Sequence, residues 1–539
     1  MKRTTISLIA VTTALAAVTG FASLTAPDGE TTTEAAAPAR LPVERSSLLC
    51  PAPSSSDLAE TRYTSFTPVM KDGVNEDPKD GAAADEAAGA GADTAELRPS
   101  AATLAAPDAA PADKDGEAEK DEKDEKGTAD EDGEAGKPAS DKPLLALKEP
   151  GKPVSAEESG GQAPALVGTA TGRLAPGWTA QQTTTVSAGS GRGLLGVSCT
   201  APDTDFWFPG ASLADKRQDY VHLTNPDDTA AVVDVELYGK DGALKSTVAE
   251  GIPVPGGAGL PVLLSTLTAD PAEDVTVHVT TRTGRVGAVV RSAEEDSGSD
   301  WLAASADPAG TAVLPGIPAD ATSVQLVAFA PGDDDAELQV RLAGATGTIT
   351  PAGAETLHVK SGMTASLDLK DVTRGEAGSL VLSPAEGRRA TPVVAALRVV
   401  RGEGDKKEVA FIPAAAPVGQ RATVADNRAK GSQLSLVAAG KAAEVKVTAS
   451  AGTEGGTQVV KTYSVKAGTT LAVPAPVPAG LRGSYALTVE TVSGGPVHAS
   501  RSLEIAEDGI PMFTVQTLPD DRGMVAVPEA EQDLSVLDD

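Results

Sequence analysis

Two cysteines, four histidines and three tryptophans are the side chains of this 539-residue chain most open to a chemical reading. Cys50 and Cys199 have no CxxC and no Cys/His cluster around them, so a zinc or redox centre lacks a ligand set. A sparing, even count in an exported chain favours one disulfide, with two unpaired buried thiols as the alternative. His222, His278, His358 and His498 fall in separate strand-like runs. A triad needs nucleophile, base and orienter within hydrogen-bond reach. Neither a nucleophile elbow nor an HExxH motif is present, so these read as ordinary strand histidines.

Carboxylates are too abundant to single out the facing pair that a glycosidase requires. Trp207, inside Phe206-Trp207-Phe208, reads as core or domain-junction packing. Trp178 and Trp301 sit beside loop signals and are the candidate platforms if a sugar is bound. Asp227-Asp228 and Asp333-Asp334-Asp335 occupy matching turns, where Asp is a standard turn former. Calcium could use such oxygens, but the EF-hand spacing is absent. Gly189-Ser190-Gly191-Arg192-Gly193 precedes no helix, so a phosphate cradle is not expected. No catalytic residue, cofactor or metal is expected.

The elements that must carry these residues are short strands. Hydrophobic residues make up 40% and aromatics only 3%, so cores must be built from small and β-branched side chains that suit pleated strands. A net charge of −31 argues against a phosphate-backbone binder, so no nucleic-acid partner is expected. Lys2 and Arg3 precede an uncharged stretch, residues 6–26, with small residues around Gly20-Phe21-Ala22. It reads as a cleaved export signal or an uncleaved anchor. Either places the rest outside the cytoplasm, with membrane contact only through that segment if it is retained.

Residues 27–42 read as a linker. Strand-like runs at 43–50 and 63–70 precede a stretch without Phe, Tyr or Trp. Between Asp113 and Lys142 it holds 13 acidic and 6 basic residues, too little apolar surface to offset chain entropy. Residues 71–162 are therefore expected to be a disordered acidic insert. It would split an N-terminal β domain, 43–70 plus 163–204, stapled by Cys50–Cys199.

From residue 205 a period near 100 residues appears. Each unit opens on an apolar strand ending in proline: Phe206-Trp207-Phe208-Pro209, Ala312-Val313-Leu314-Pro315 and Ala410-Phe411-Ile412-Pro413. Each closes on a strand carrying Arg291, Arg398 or Arg501. This spacing predicts tandem immunoglobulin-like β-sandwiches over 205–305, 306–403 and 404–528, then an acidic tail, 529–539.

Leu48-Leu49-Cys50-Pro51, Leu195-Gly196-Val197-Ser198-Cys199, Asp205-Phe206-Trp207-Phe208-Pro209-Gly210 and Val221-His222-Leu223-Thr224-Asn225-Pro226 carry a family resemblance. With the signal-like start, they resemble an actinobacterial family of secreted or membrane-tethered proteins classed as a domain of unknown function. The resemblance spans the chain apart from the acidic insert. It implies a strand-rich exported protein, often encoded beside a large glycosyltransferase, and transfers no catalytic residues. The expected role is structural or scaffolding in the cell envelope, with a protein or polysaccharide partner, a glycosyltransferase among the candidates. Carbohydrate binding is the alternative, and a hydrolase with an unrecognised site a minor one.

Overall fold

The computed structural model describes residues 39–70, 93–103, 142–189, 191–247, 251–507 and 509–527. Residues 1–26, read above as an export signal or anchor, and the acidic tail, 529–539, lie outside them. The described residues are all-β, with 3-10 turns at Gly172–Leu174, Leu264–Thr266 and Gly404–Lys406.

Two four-stranded sheets form the N-terminal sandwich. One runs, side by side, Arg45–Cys50, Leu166–Thr171, Ala95–Pro99, Leu145–Leu147; the other runs Gly193–Ser198, Thr179–Val186, Ala59–Phe66, Val154–Ser159. In chain order these are strands 1-6-3-4 and 8-7-2-5 of the unit. The same lateral order recurs over 205–302, 312–413 and 421–517. The molecule thus contains four tandem sandwiches of one topology, here numbered 1 to 4. In each, the second strand pairs with the fifth and the third with the sixth, as in an immunoglobulin sandwich. The first and seventh strands have exchanged sheets relative to that plan.

Period-2 patterning builds these strands. Ala336–Ala343 buries Ala336, Leu338, Val340 and Leu342 and turns Glu337, Gln339 and Arg341 outward. Each sandwich has its own apolar core, and those of sandwiches 2 to 4 are rich in Val, Leu and Ala. The first strand carries a bulge in sandwiches 2, 3 and 4, at Gly210, Gly316 and Asp426, with φ of 100, 90 and 54°. Glycine removes the Cβ penalty there.

Four sequence expectations need correction. Strands at 95–99, 145–147 and 154–159 lie inside the stretch expected to be disordered, and they complete both sheets of sandwich 1. Their short alternating runs, such as Ala95-Glu96-Leu97, are too small to stand out from a polar background. The remaining parts, 71–92 and 104–141, follow the second and third strands as two separate excursions and lie outside the described residues. Next, Glu408–Pro413 does not open a third repeat. It pairs with Val394–Arg401 and is the eighth strand of sandwich 3. The true first strand of sandwich 4 is Arg421–Asn427, which lacks the proline signature. Finally, the three arginines are not equivalent. Arg291 and Arg398 pair with Tyr220 and Gln325 on the outer sheet face, whereas Arg501 pairs with the core residue Leu434. Ser502 holds the corresponding position. In addition, Ala39–Pro42, expected as linker, is a strand that pairs with Met524–Val527.

Residues 42–524 form one unit in which the sandwiches close into a ring. The eighth strand of each contacts those of its two neighbours, and 193–198 of sandwich 1 meets 510–517 of sandwich 4. The first strand of each later sandwich packs on the second and seventh strands of the next, and that of sandwich 4 returns to sandwich 1.

Candidate functional site

The axis of the ring is where side chains from all four sandwiches converge. In sandwiches 2 and 3 the eighth strand turns one face to its own core, through Leu302 and through Ala410 and Ile412, and the other into the preceding sandwich. Phe411 and Val409 of sandwich 3 join the core of sandwich 2, and Phe513 and Val515 of sandwich 4 join that of sandwich 3. Trp301 of sandwich 2 packs with Ala59 and Val186 of sandwich 1, and Leu194 of sandwich 1 packs with Leu503 and Met512 of sandwich 4. The register thus gives one inserted strand face per joint.

Polar groups cross between these strands. Asp300 of sandwich 2 accepts from the Gly196 amide of sandwich 1 at 3.1 Å and from the Thr514 hydroxyl of sandwich 4 at 3.0 Å. It is fully buried, and desolvation raises its pKa well above the carboxylate range. Arg192 of sandwich 1 donates to the carbonyls of Asp405 and Lys407 of sandwich 3 and lies 3.0 Å from Glu408. Burial pushes Glu408 up to about 7 despite Arg192. Gly298 (φ 83°) lets these strands approach, because a Cβ there would lie 2.8 Å from the Arg192 carbonyl. These carboxyls are displaced in pKa as catalytic acids are, yet neither lines any groove described here. Their contacts are those of a joint, not of a cleft that admits substrate.

The residues marked in the sequence fall elsewhere. Cys50 and Cys199 form a disulfide with Cα atoms 4.5 Å apart, tying the first strand of sandwich 1 to the residue after its eighth. Trp178 and Trp301 are 4% and 2% exposed, which removes both as stacking platforms for a ligand. The Trp178 indole donates to Ser65 inside sandwich 1, and Trp301 meets His222 edge-on. Both were placed by neighbouring turn residues, which do not reveal which face of a strand end is covered. Trp207 does lie at a domain junction, stacked on His278 at 3.6 Å and beside Phe329 of sandwich 3. His222 is buried and held neutral, its pKa lowered to about 3 by desolvation and Arg291. His278 and His358 face Glu236 and Glu337 across their strands. His498 is pushed down to about 4 by burial. Asp227 pairs with Arg285, and Asp335 accepts from the Ser361 amide, so these turns use their oxygens internally. Among the described residues no group of three or more His, Cys, Asp or Glu is placed to hold a metal. Asp300, Glu408 and Thr514 carried no motif and were missed; Arg192 was noted only within the glycine run weighed as a phosphate cradle.

Among the grooves between sandwiches, two lie beside a seventh strand. One, of about 320 Å³, lies between sandwiches 3 and 4 and includes Asp320, Arg401, Ser502 and Glu504. The other, of about 370 Å³, lies between sandwiches 4 and 1 and includes Arg62, Glu157, Thr183 and Arg428.

A family model described as "Family of unknown function (DUF5719)" matches residues 154–476. The match begins at the fifth strand of sandwich 1 and ends just past the fifth strand of sandwich 4, three full periods of the repeat. No curated protein and no solved structure matches the chain.

Proposed function

This chain belongs to DUF5719, a family of unknown function, and we propose for it a non-catalytic, structural role in the cell envelope of an actinobacterium. The supporting observation is the ring itself. Four sandwiches are locked at one axis by inserted eighth strands, an arrangement that favours a rigid frame over a moving catalytic cleft. The Cys50–Cys199 disulfide agrees with an oxidising location outside the cytoplasm. The signal-like start agrees with secretion or tethering through the N-terminal segment. The partner is a protein or polysaccharide of the envelope, and a membrane glycosyltransferase is the protein candidate.

The test is capture from solubilised membranes of the source organism, with the exported chain as bait and a reduced, unfolded sample as control. Recovery of one membrane protein, a glycosyltransferase above all, with the folded bait only supports the scaffold reading. Equal recovery by both samples, or turnover of envelope glycans by the purified chain, overturns it.

A further inference from the structure

Three of the four joints are crossed by a covalent linker. After the eighth strand the chain runs on to the next sandwich and bonds the residue just before that sandwich's seventh strand. Asp203 pairs with Val286, Ala309 pairs with Val393, and the Val418 amide donates to the Val497 carbonyl at 2.8 Å. A linker keeps two sandwiches at a high effective concentration, so such a joint does not drift apart. Sandwiches 4 and 1 are the last and the first along the chain, and no linker crosses between them.

Residues 519–523 run where that linker would run. They leave the eighth strand, Ile510–Thr517, through the core residue Leu518. Asp520 accepts from the Gln420 amide at 3.0 Å, and the Asp521 amide donates to the Arg421 carbonyl at 2.8 Å, which fixes the segment to sandwich 4. Gly523 then reaches sandwich 1, where its carbonyl accepts from the Val43 amide at 3.1 Å. A Cβ on Gly523 would stand 2.7 Å from the nitrogen of Gly177, two residues before the seventh strand, Thr179–Val186. The contact thus falls beside the place that Val286, Val393 and Val497 hold at the linked joints.

The ion pair of Asp521 with Arg421, its side chains 8% and 12% exposed, lies against Gly177. A Cβ on Gly177 would be 2.5 Å from both side chains, and its φ of 73° suits glycine. Arg421 also reaches the Met70 sulfur of sandwich 1 at 2.9 Å. Loss of either partner of such a pair would leave a buried charge, so the pair holds the segment in one position.

We propose that residues 519–523 are a clasp: they take the place of the missing linker and set whether the ring stands closed or opens at the joint between sandwiches 4 and 1. The clasp is independent of the envelope role proposed above.

The experiment measures distances between paired spin labels by electron paramagnetic resonance. Ser55→Cys with Lys466→Cys reports on the closing joint, and Lys240→Cys with Lys360→Cys on the linked joint between sandwiches 2 and 3; all four positions are exposed. In the full chain each pair should give one narrow distance. A chain ending at Gly523 should keep both distances. A chain ending at Leu518 should shift the closing-joint distance to longer, broader values and leave the other pair unchanged. Gly523→Val, whose branched side chain has no room against Gly177, should do the same and serves if the chain ending at Leu518 does not fold. An unchanged closing-joint distance in the variants that fold overturns the proposal. So does equal lengthening at the linked joint, or opening in the chain that ends at Gly523.

Discussion

The junction between sandwiches 2 and 3 and the one that closes the ring between sandwiches 4 and 1 share a backbone plan and differ in side chains. At the first, Trp207 projects from a first strand onto Phe329 and Val394 of the next sandwich. Phe411 inserts in return beneath Arg217, and Arg398 pairs with Glu294. At the closing joint the residue corresponding to Trp207 is Thr423, whose hydroxyl reaches the Gly177 carbonyl at 3.4 Å. Gly196 stands where Phe411 does, its missing Cβ making room for Thr514 and Gln516. Arg421, paired with Asp521, contacts the Met70 sulfur across the joint at 2.9 Å. One joint is apolar and filled; the other adds polar contacts to smaller apolar ones, Leu194 with Leu503 and Met512 and Phe66 with Ala425 and Ala486. The chain therefore invests large apolar burial where sandwiches follow one another and closes the ring with hydrogen bonds and buried charge. The closing joint should be the first to open and the most sensitive to pH.

The largest expected effect comes from loosening sandwich 1 as a whole. Cys50→Ser with Cys199→Ser frees a long loop and should cost up to about 5 kcal/mol in chemical unfolding. The unfolding curve should then split, sandwich 1 leaving before the others. A single transition shifted by less than about 1 kcal/mol would mean that the joints, not the disulfide, hold this sandwich. Next, Trp207→Ala at the filled joint should cost about 3–5 kcal/mol, read by the same titration. A loss below that of a surface substitution would erase the contrast between the joints.

The axis should respond to pH. Glu408 is pushed up to about 7 by burial, above its unfolded value of 4.5, so the native state binds the extra proton. Its contribution is fully present below the unfolded value and is lost as pH rises through about 7. The change is on the order of 3 kcal/mol. Asp300 is shifted the same way. Urea midpoints should therefore fall between pH 5 and pH 8, and Glu408→Gln should flatten the slope; an equal slope in that variant would remove Glu408 from the account. The smallest effect is expected at the closing joint, where Thr423→Ala removes one long hydrogen bond worth about 0.5 kcal/mol. A loss as large as that of Trp207→Ala would make the joints equal and the comparison void.

Much of the fold was legible because it rests on local pattern. Alternating runs and turn residues exposed the strands, and the near-100-residue period exposed the array. The first sandwich escaped that period because long polar excursions at two of its turns separate strands that are adjacent in its sheets. Sandwich 4 was misframed because its first strand carries Thr423-Val424-Ala425 where earlier units have an apolar residue, a core residue and proline. A stronger Ala-Phe-Ile-Pro match therefore drew the boundary one strand early.

Composition and periodicity alone determined the all-β class and the tandem organisation, since each follows from residue type and spacing along the chain; they favoured the Cys50–Cys199 pair over two buried thiols, and the structure decided it. Only the tertiary structure decided that the units close into a ring, that Trp178 and Trp301 are covered, and that Arg192, Asp300, Glu408 and Thr514 meet. Strand alternation says which side of a strand is apolar but not which sandwich lies against it. A one-residue change of register, as between Arg501 and Ser502, moves a guanidinium from a joint to a core, and only pairing across the sheet reveals it.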